Sequence, residues 1–131
     1  MIFNVQTQVD YWRTGSDEDW EAALLLVEKG KIHHGLFFLH LALEKLLKAH
    51  VCRAIHDHPP RIHDLVRLTR RAELELTEEW LLLLGKVNAF CQIGRYPGNP
   101  MSQRVSLEVA HRYIDNVQEV RAWLQQKLTE S

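Results

Sequence analysis

The residues in this chain best suited to chemistry are a histidine, a glutamate, a lysine and an arginine, set in two separate stretches. In "GLFFLHLALEKLLKAHV", His40, Glu44 and Lys48 follow one another at four-residue steps, and His33 stands one heptad earlier. On a helix this spacing places all four along one face. Such a polar stripe on so apolar a helix is expected to face water, a partner or a groove. Farther along, "IGRYPGNP" carries Arg95 beside a proline turn. Pro97 fixes its own φ and biases Tyr96 toward extended geometry, so the arginine projects from a rigid loop. A guanidinium held this way suits bidentate recognition of a phosphate. Tyr96 can stack on a base or plug the end of a helix bundle. The same residues also admit a purely structural role, with Arg95 paired to Glu44 and the loop pinned. His63 and Asp64 can line the same groove, or Asp64 can serve only as a helix-start charge.

Other chemistries find less support. Among the eight histidines, His56, His58 and His63 form one cluster and His33 with His34 another. No HExxH spacing and no cysteine pair accompanies them, so neither a metal nor a cofactor is expected. Cys52 and Cys91 lie far apart, each within a helical pattern, which fits reduced, buried thiols. Gly94 and Gly98 straddle a proline and lack the pattern of a phosphate-cradling loop.

The elements that must position these residues are helical almost throughout. β-branched residues are few and no run alternates cleanly, so strands are not expected. The periodicity predicts helices over about 5–29, 31–56, 62–71, 78–93 and 102–128. Gly15 is the weak point of the first, costing about 1 kcal/mol relative to alanine. Ser16 with Asp19 offers a capping box that would start that helix later. Pro59 and Pro60 break the second helix, Thr77 caps the fourth, and Gly94 with Pro97 ends it. Short connections between long helices favour antiparallel neighbours. The expected fold is all-α, an up-and-down antiparallel bundle of four long helices plus one short helix.

At 131 residues the chain fits a single domain over 1–131. With 46% hydrophobic and 25% charged residues it reads as an ordinary globular protein. A net charge of -1 supplies no global pull toward nucleic acid or membrane. The charge is uneven, however: residues 45–71 hold seven Lys or Arg against two Asp, and Glu73, Glu75, Glu78 and Glu79 follow. The start of the chain lacks a signal peptide and no apolar run is long enough to span a bilayer, so a cytoplasmic location is expected.

Three blocks, "GLFFLHLALEKLLKAHV", "PPRIHDL" and "RYPG", occur in an order and spacing that resembles the HEPN domain family (higher eukaryote and prokaryote nucleotide-binding), in its small stand-alone prokaryotic branch. The resemblance runs from the Trp12 helix to Leu128. It implies a helical bundle that forms a homodimer. It also implies binding of nucleotide or RNA, and pairing with a minimal nucleotidyltransferase in a toxin–antitoxin-like arrangement. The ribonuclease branches of the family use an arginine followed, after four to six residues, by a histidine. Here the chain departs from that pattern, because Pro100, Met101 and Ser102 occupy the positions where a histidine should follow Arg95. Arg104 with His111 and Arg53 with His58 match the spacing, but the first pair lies within one helical pattern and the second straddles the Pro59 break. The expectation is therefore a non-catalytic binding protein with ligand contacts at His40, Glu44, Lys48, His63, Asp64, Arg95 and Tyr96. The alternative is a divergent metal-independent ribonuclease acting through Arg104 and His111.

Overall fold

Four of the five helices begin where a side chain can satisfy the free amides of a first turn. The computed structural model describes residues 3–91 and 105–130. Its helices are α1 (Val5–Glu28), α2 (Ile32–Ile55), α3 (Leu65–Arg71), α4 (Glu78–Val87) and α5 (Leu107–Thr129), with no strand among the described residues. Asn4, Asp64, Thr77 and Ser106 accept from backbone amides at the starts of α1, α3, α4 and α5. α2 has no side-chain cap, and Gly30, at φ +81, turns the chain into it.

The alternative start at a Ser16 capping box is not taken. α1 runs straight through Gly15, and Ser16 is buried, donating to the Ala42 carbonyl at 2.6 Å. Asp19 instead pairs with Lys45 at 2.8 Å. A Cβ at position 15 would stand 3.1 Å from the Lys45 side chain, so the glycine leaves the lysine room to cross α1.

Two boundaries also differ from the periodic pattern. α3 starts at Leu65 rather than 62, because Asp64 caps it there. α4 stops at Val87, where Asn88 interrupts the helix before Ala89–Cys91 turn helically again. Among the described residues the bundle thus has three long helices and two short ones. The segment 92–104, which carries Arg95, Tyr96 and Arg104, lies outside the described residues.

Named contacts give the helix directions. Asp19–Lys45 and Ser16–Ala42 make α1 and α2 antiparallel. The ring pairs Trp80–Trp123 and Phe90–Tyr113 make α4 and α5 antiparallel. His111–Glu28 and Arg121–Asp17 do the same for α1 and α5. His50 and Arg53 reach carbonyls at the end of α5, so α2 and α5 run in parallel. α1, α2, α4 and α5 therefore alternate up and down in chain order.

α2 is the central element, with Leu36, Leu39, Leu43, Leu46, Leu47 and Val51 fully buried. Each such leucine removed from water contributes about 2 kcal/mol. α1 approaches it most closely at Gly35, where an added Cβ would lie 2.5 Å from Val27 Cγ2 and 3.0 Å from the Ala23 carbonyl.

Candidate functional site

The stripe on α2 faces inward. His40 is 0% exposed, Glu44 4% and Lys48 6%, so the expectation that the stripe faces water, a partner or an open groove is corrected. A bare carboxylate in such a place would be unstable by several kcal/mol, and it is retained only where donors surround it. Lys48 Nζ lies 3.1 Å from Glu44 Oε2, and His63 Nδ1 lies 2.9 Å from Oε1. Lys48 also sits over the Trp12 ring, 5.3 Å from its centroid, which adds a cation–π contact to the ion pair.

Tautomers follow from the partners. A carbonyl can only accept, so His40 Nε2 carries a hydrogen and donates to the His63 carbonyl at 2.9 Å. His40 Nδ1 then faces Glu44 Oε1 at 3.8 Å. Burial drives the His40 pKa below the ordinary imidazole value, against the opposing pull of the Glu44 carboxylate and the bond to His63. The His63 ring must donate from Nδ1, because the Glu44 carboxylate accepts. The backbone and the ring of one loop residue are thus both held by α2.

Asp64, next in sequence, does a different job. Its Oδ1 accepts from the amides of Val66 and Arg67 at the start of α3 and from Asn88 Nδ2 at 2.9 Å. Asn88 Oδ1 in turn accepts from the Leu65 amide at 2.9 Å. The break after α4 is therefore spliced to the start of α3.

The structure brings His40, Glu44, Lys48 and His63 into one cluster and places Asp64 beside it in a capping role. Of these, the three α2 residues are buried. His63, whose side chain is 45% exposed, is the member that reaches the surface. Arg95 and Tyr96 lie outside the described residues, and with them the pairing of Arg95 to Glu44. Asn88 and Trp12 carry the cluster without having been singled out by pattern. The signal for Asn88 was a poor helix former inside a helical run, since asparagine competes for backbone partners.

The basic segment 45–71 also separates into two groups. Lys45 and Lys48 are spent on Asp19 and Glu44, and Arg53 donates to the carbonyls of Lys127 and Leu128, at 2.9 Å each, at the end of α5. The remaining four, Arg61, Arg67, Arg70 and Arg71, are exposed, and none forms an ion pair among the described residues. They surround His63 in sequence, on the loop before α3 and on α3 itself.

Elsewhere, His111 lies half-exposed on α5, 3.4 Å from Glu28, while Arg104 is outside the described residues. Among the described residues no group of three His, Cys, Asp or Glu side chains is placed to hold a metal, and no helix is long and apolar enough to cross a membrane. Cys52 and Cys91 are buried and form no disulfide with each other, and burial, then Asp57, raises the Cys52 pKa.

A family model described as "HEPN domain" matches residues 9–128, nearly the whole chain, and the chain belongs to the HEPN domain family. No curated protein and no solved structure matches it.

Proposed function

We propose that the chain is a non-catalytic HEPN-type protein that binds the phosphate groups of a nucleotide or RNA at the loop before α3 and along α3. It acts as a homodimer and pairs with a minimal nucleotidyltransferase in a toxin–antitoxin-like arrangement. The observation that carries the reading is the set of four exposed arginines without ion pairs among the described residues, beside an imidazole fixed by a buried carboxylate. Arginines left unpaired on a protein of net charge -1 favour an anionic ligand that brings its own acceptors. In this account His40, Glu44 and Lys48 hold His63 in place rather than meeting the ligand, and Arg95 and Tyr96 add a guanidinium and a stacking ring. The missing histidine after Arg95 supports binding without cleavage.

Calorimetric titration with ATP and with a short single-stranded RNA tests the proposal. Saturable binding that weakens about tenfold in Arg67→Ala/Arg71→Ala, and falls with added salt, is the expected result. Absence of binding by either ligand overturns the phosphate-binding claim. RNA cleavage that disappears in Arg104→Ala/His111→Ala overturns the non-catalytic claim.

A further inference from the structure

Glu44 Oε1 has two claimants. His63 Nδ1 donates to it at 2.9 Å, and His40 Nδ1 stands 3.8 Å from the same oxygen. His40 Nε2 already carries a hydrogen for the His63 carbonyl, so in the neutral ring Nδ1 holds a lone pair. That lone pair faces a carboxylate, and among the described residues Nδ1 is a buried atom with no hydrogen bond. A proton on Nδ1 turns the same contact into a charge-assisted hydrogen bond.

The charges of the cluster limit how many protons it can hold. α2 supplies the Glu44 carboxylate and the Lys48 ammonium. The loop supplies the His63 ring and Asp64, whose Oδ1 is taken up by the start of α3 and by Asn88. The end of α4 supplies the neutral Asn88 amide, and α1 the Trp12 ring under Lys48. Glu44 already answers Lys48, so a charged His40 gives it a second cation and a charged His63 a third. His63 is the member placed to leave: its side chain is 45% exposed on a loop, whereas His40 and Lys48 are buried on α2.

We infer that the cluster is a proton-operated latch on the arginine-bearing segment: a protonated His40 takes over Glu44 Oε1, and the His63 imidazolium turns outward to join the anion site. His40 Nε2 keeps the His63 carbonyl throughout, so the backbone stays anchored while the ring changes partner. His63 lies between Arg61 and Arg67 in sequence, and Arg67, Arg70 and Arg71 share one face of α3 at steps of three and four residues. The released ring adds a further cation to this group, and anion binding strengthens as pH falls. Burial keeps His40 neutral at neutral pH, so the exchange belongs to acid, below the ordinary imidazole value of about 6.5.

This inference rests on the phosphate-binding reading, and separate measurements test the latch and the site. Nitrogen-15 resonance of the histidine-labelled chain follows each ring from about pH 8 to about pH 5. In the native chain the His63–Glu44 bond should be lost in the same step in which His40 gains its proton. His63→Ala removes the competing ring at an accessible loop position and keeps the backbone carbonyl. In that variant His40 should gain its proton about one pH unit higher. A His63–Glu44 bond that survives protonation of His40, or a His40 that titrates identically in His63→Ala, overturns the latch. The site is tested with a short oligouridylate, whose diester phosphates keep their charge over this range. The native chain should bind it about fivefold more tightly at about pH 5.5 than at about pH 7.5, and His63→Ala about twofold at most. Equal gains in the two chains overturn the transfer of His63 to the anion site. No binding at either pH overturns the phosphate-binding reading, and the nitrogen shifts still decide the latch.

Discussion

At the scale of single residues, Glu44 decides most. Replacing it by glutamine removes the charge that compensates Lys48, which is 6% exposed, and leaves a buried ammonium unpaired. Such a loss costs about 3 kcal/mol or more. Glu44→Gln should therefore lower the urea midpoint of unfolding with little change of slope, and an unchanged midpoint would show that the cluster contributes nothing to stability. His50 gives a second prediction. It is 3% exposed, donates from Nε2 to the Leu124 carbonyl at 2.8 Å, and is pushed down to about 4 by burial, while the Arg53 charge adds to the shift and the carbonyl bond opposes it. The unfolded chain takes up this proton near pH 6.5, before the folded chain does. The stability His50 contributes is thus complete above about pH 6.5 and is lost as pH falls toward about 4, by about 3 kcal/mol in total. His40, also shifted down, acts in the same direction. His50→Gln keeps a donor for Leu124 but does not titrate, so its stability should fall less steeply over this range; identical slopes would refute the assignment. The four-residue steps of His40, Glu44 and Lys48 were legible as a stripe on an apolar helix. Their inward orientation was not, because the partner that satisfies Glu44 is His63, which a loop delivers from outside the helix.

At the scale of elements, two glycines in helices predict opposite behaviour. Gly35→Ala would drive a methyl group into Val27 and the Ala23 carbonyl, and the clash should outweigh the gain in helix propensity, for a net loss of about 1–3 kcal/mol. Gly85→Ala meets open space and should stabilise the folded chain by about 1 kcal/mol. Thermal unfolding of the two variants checks the pair. A stabilised Gly35→Ala would mean that α1 and α2 are less closely packed than their contacts imply. Helix starts such as Thr77 were readable because the cap and the acidic first turn are local in sequence. The early end of α4 was not, since Asn88, whose backbone angles stay helical, spends its side chain on another element, the Leu65 amide and Asp64. Ser16 misled for a related reason. Its hydroxyl is spent on α2 rather than on its own backbone.

At the scale of the whole molecule, a net charge of -1 conceals a division of labour among the basic residues. Lys45 and Arg53 tie helices together and Lys48 holds Glu44 within α2, while Arg61, Arg67, Arg70 and Arg71 form no ion pair among the described residues. A charge count along the chain shows the excess but cannot divide it, because the acids and carbonyls that consume the first three come from α1, from α2 itself and from the end of α5. The helical class, the up-and-down order of α1, α2, α4 and α5 and the family were all readable from pattern and motif; the division of charge required the fold. Nuclear magnetic resonance of the amide-labelled chain during titration with a short single-stranded RNA tests the account most directly. It predicts saturable shifts that centre on residues 61–71 and spare α4 and α5. Saturable shifts centred elsewhere, or none at all, would contradict it.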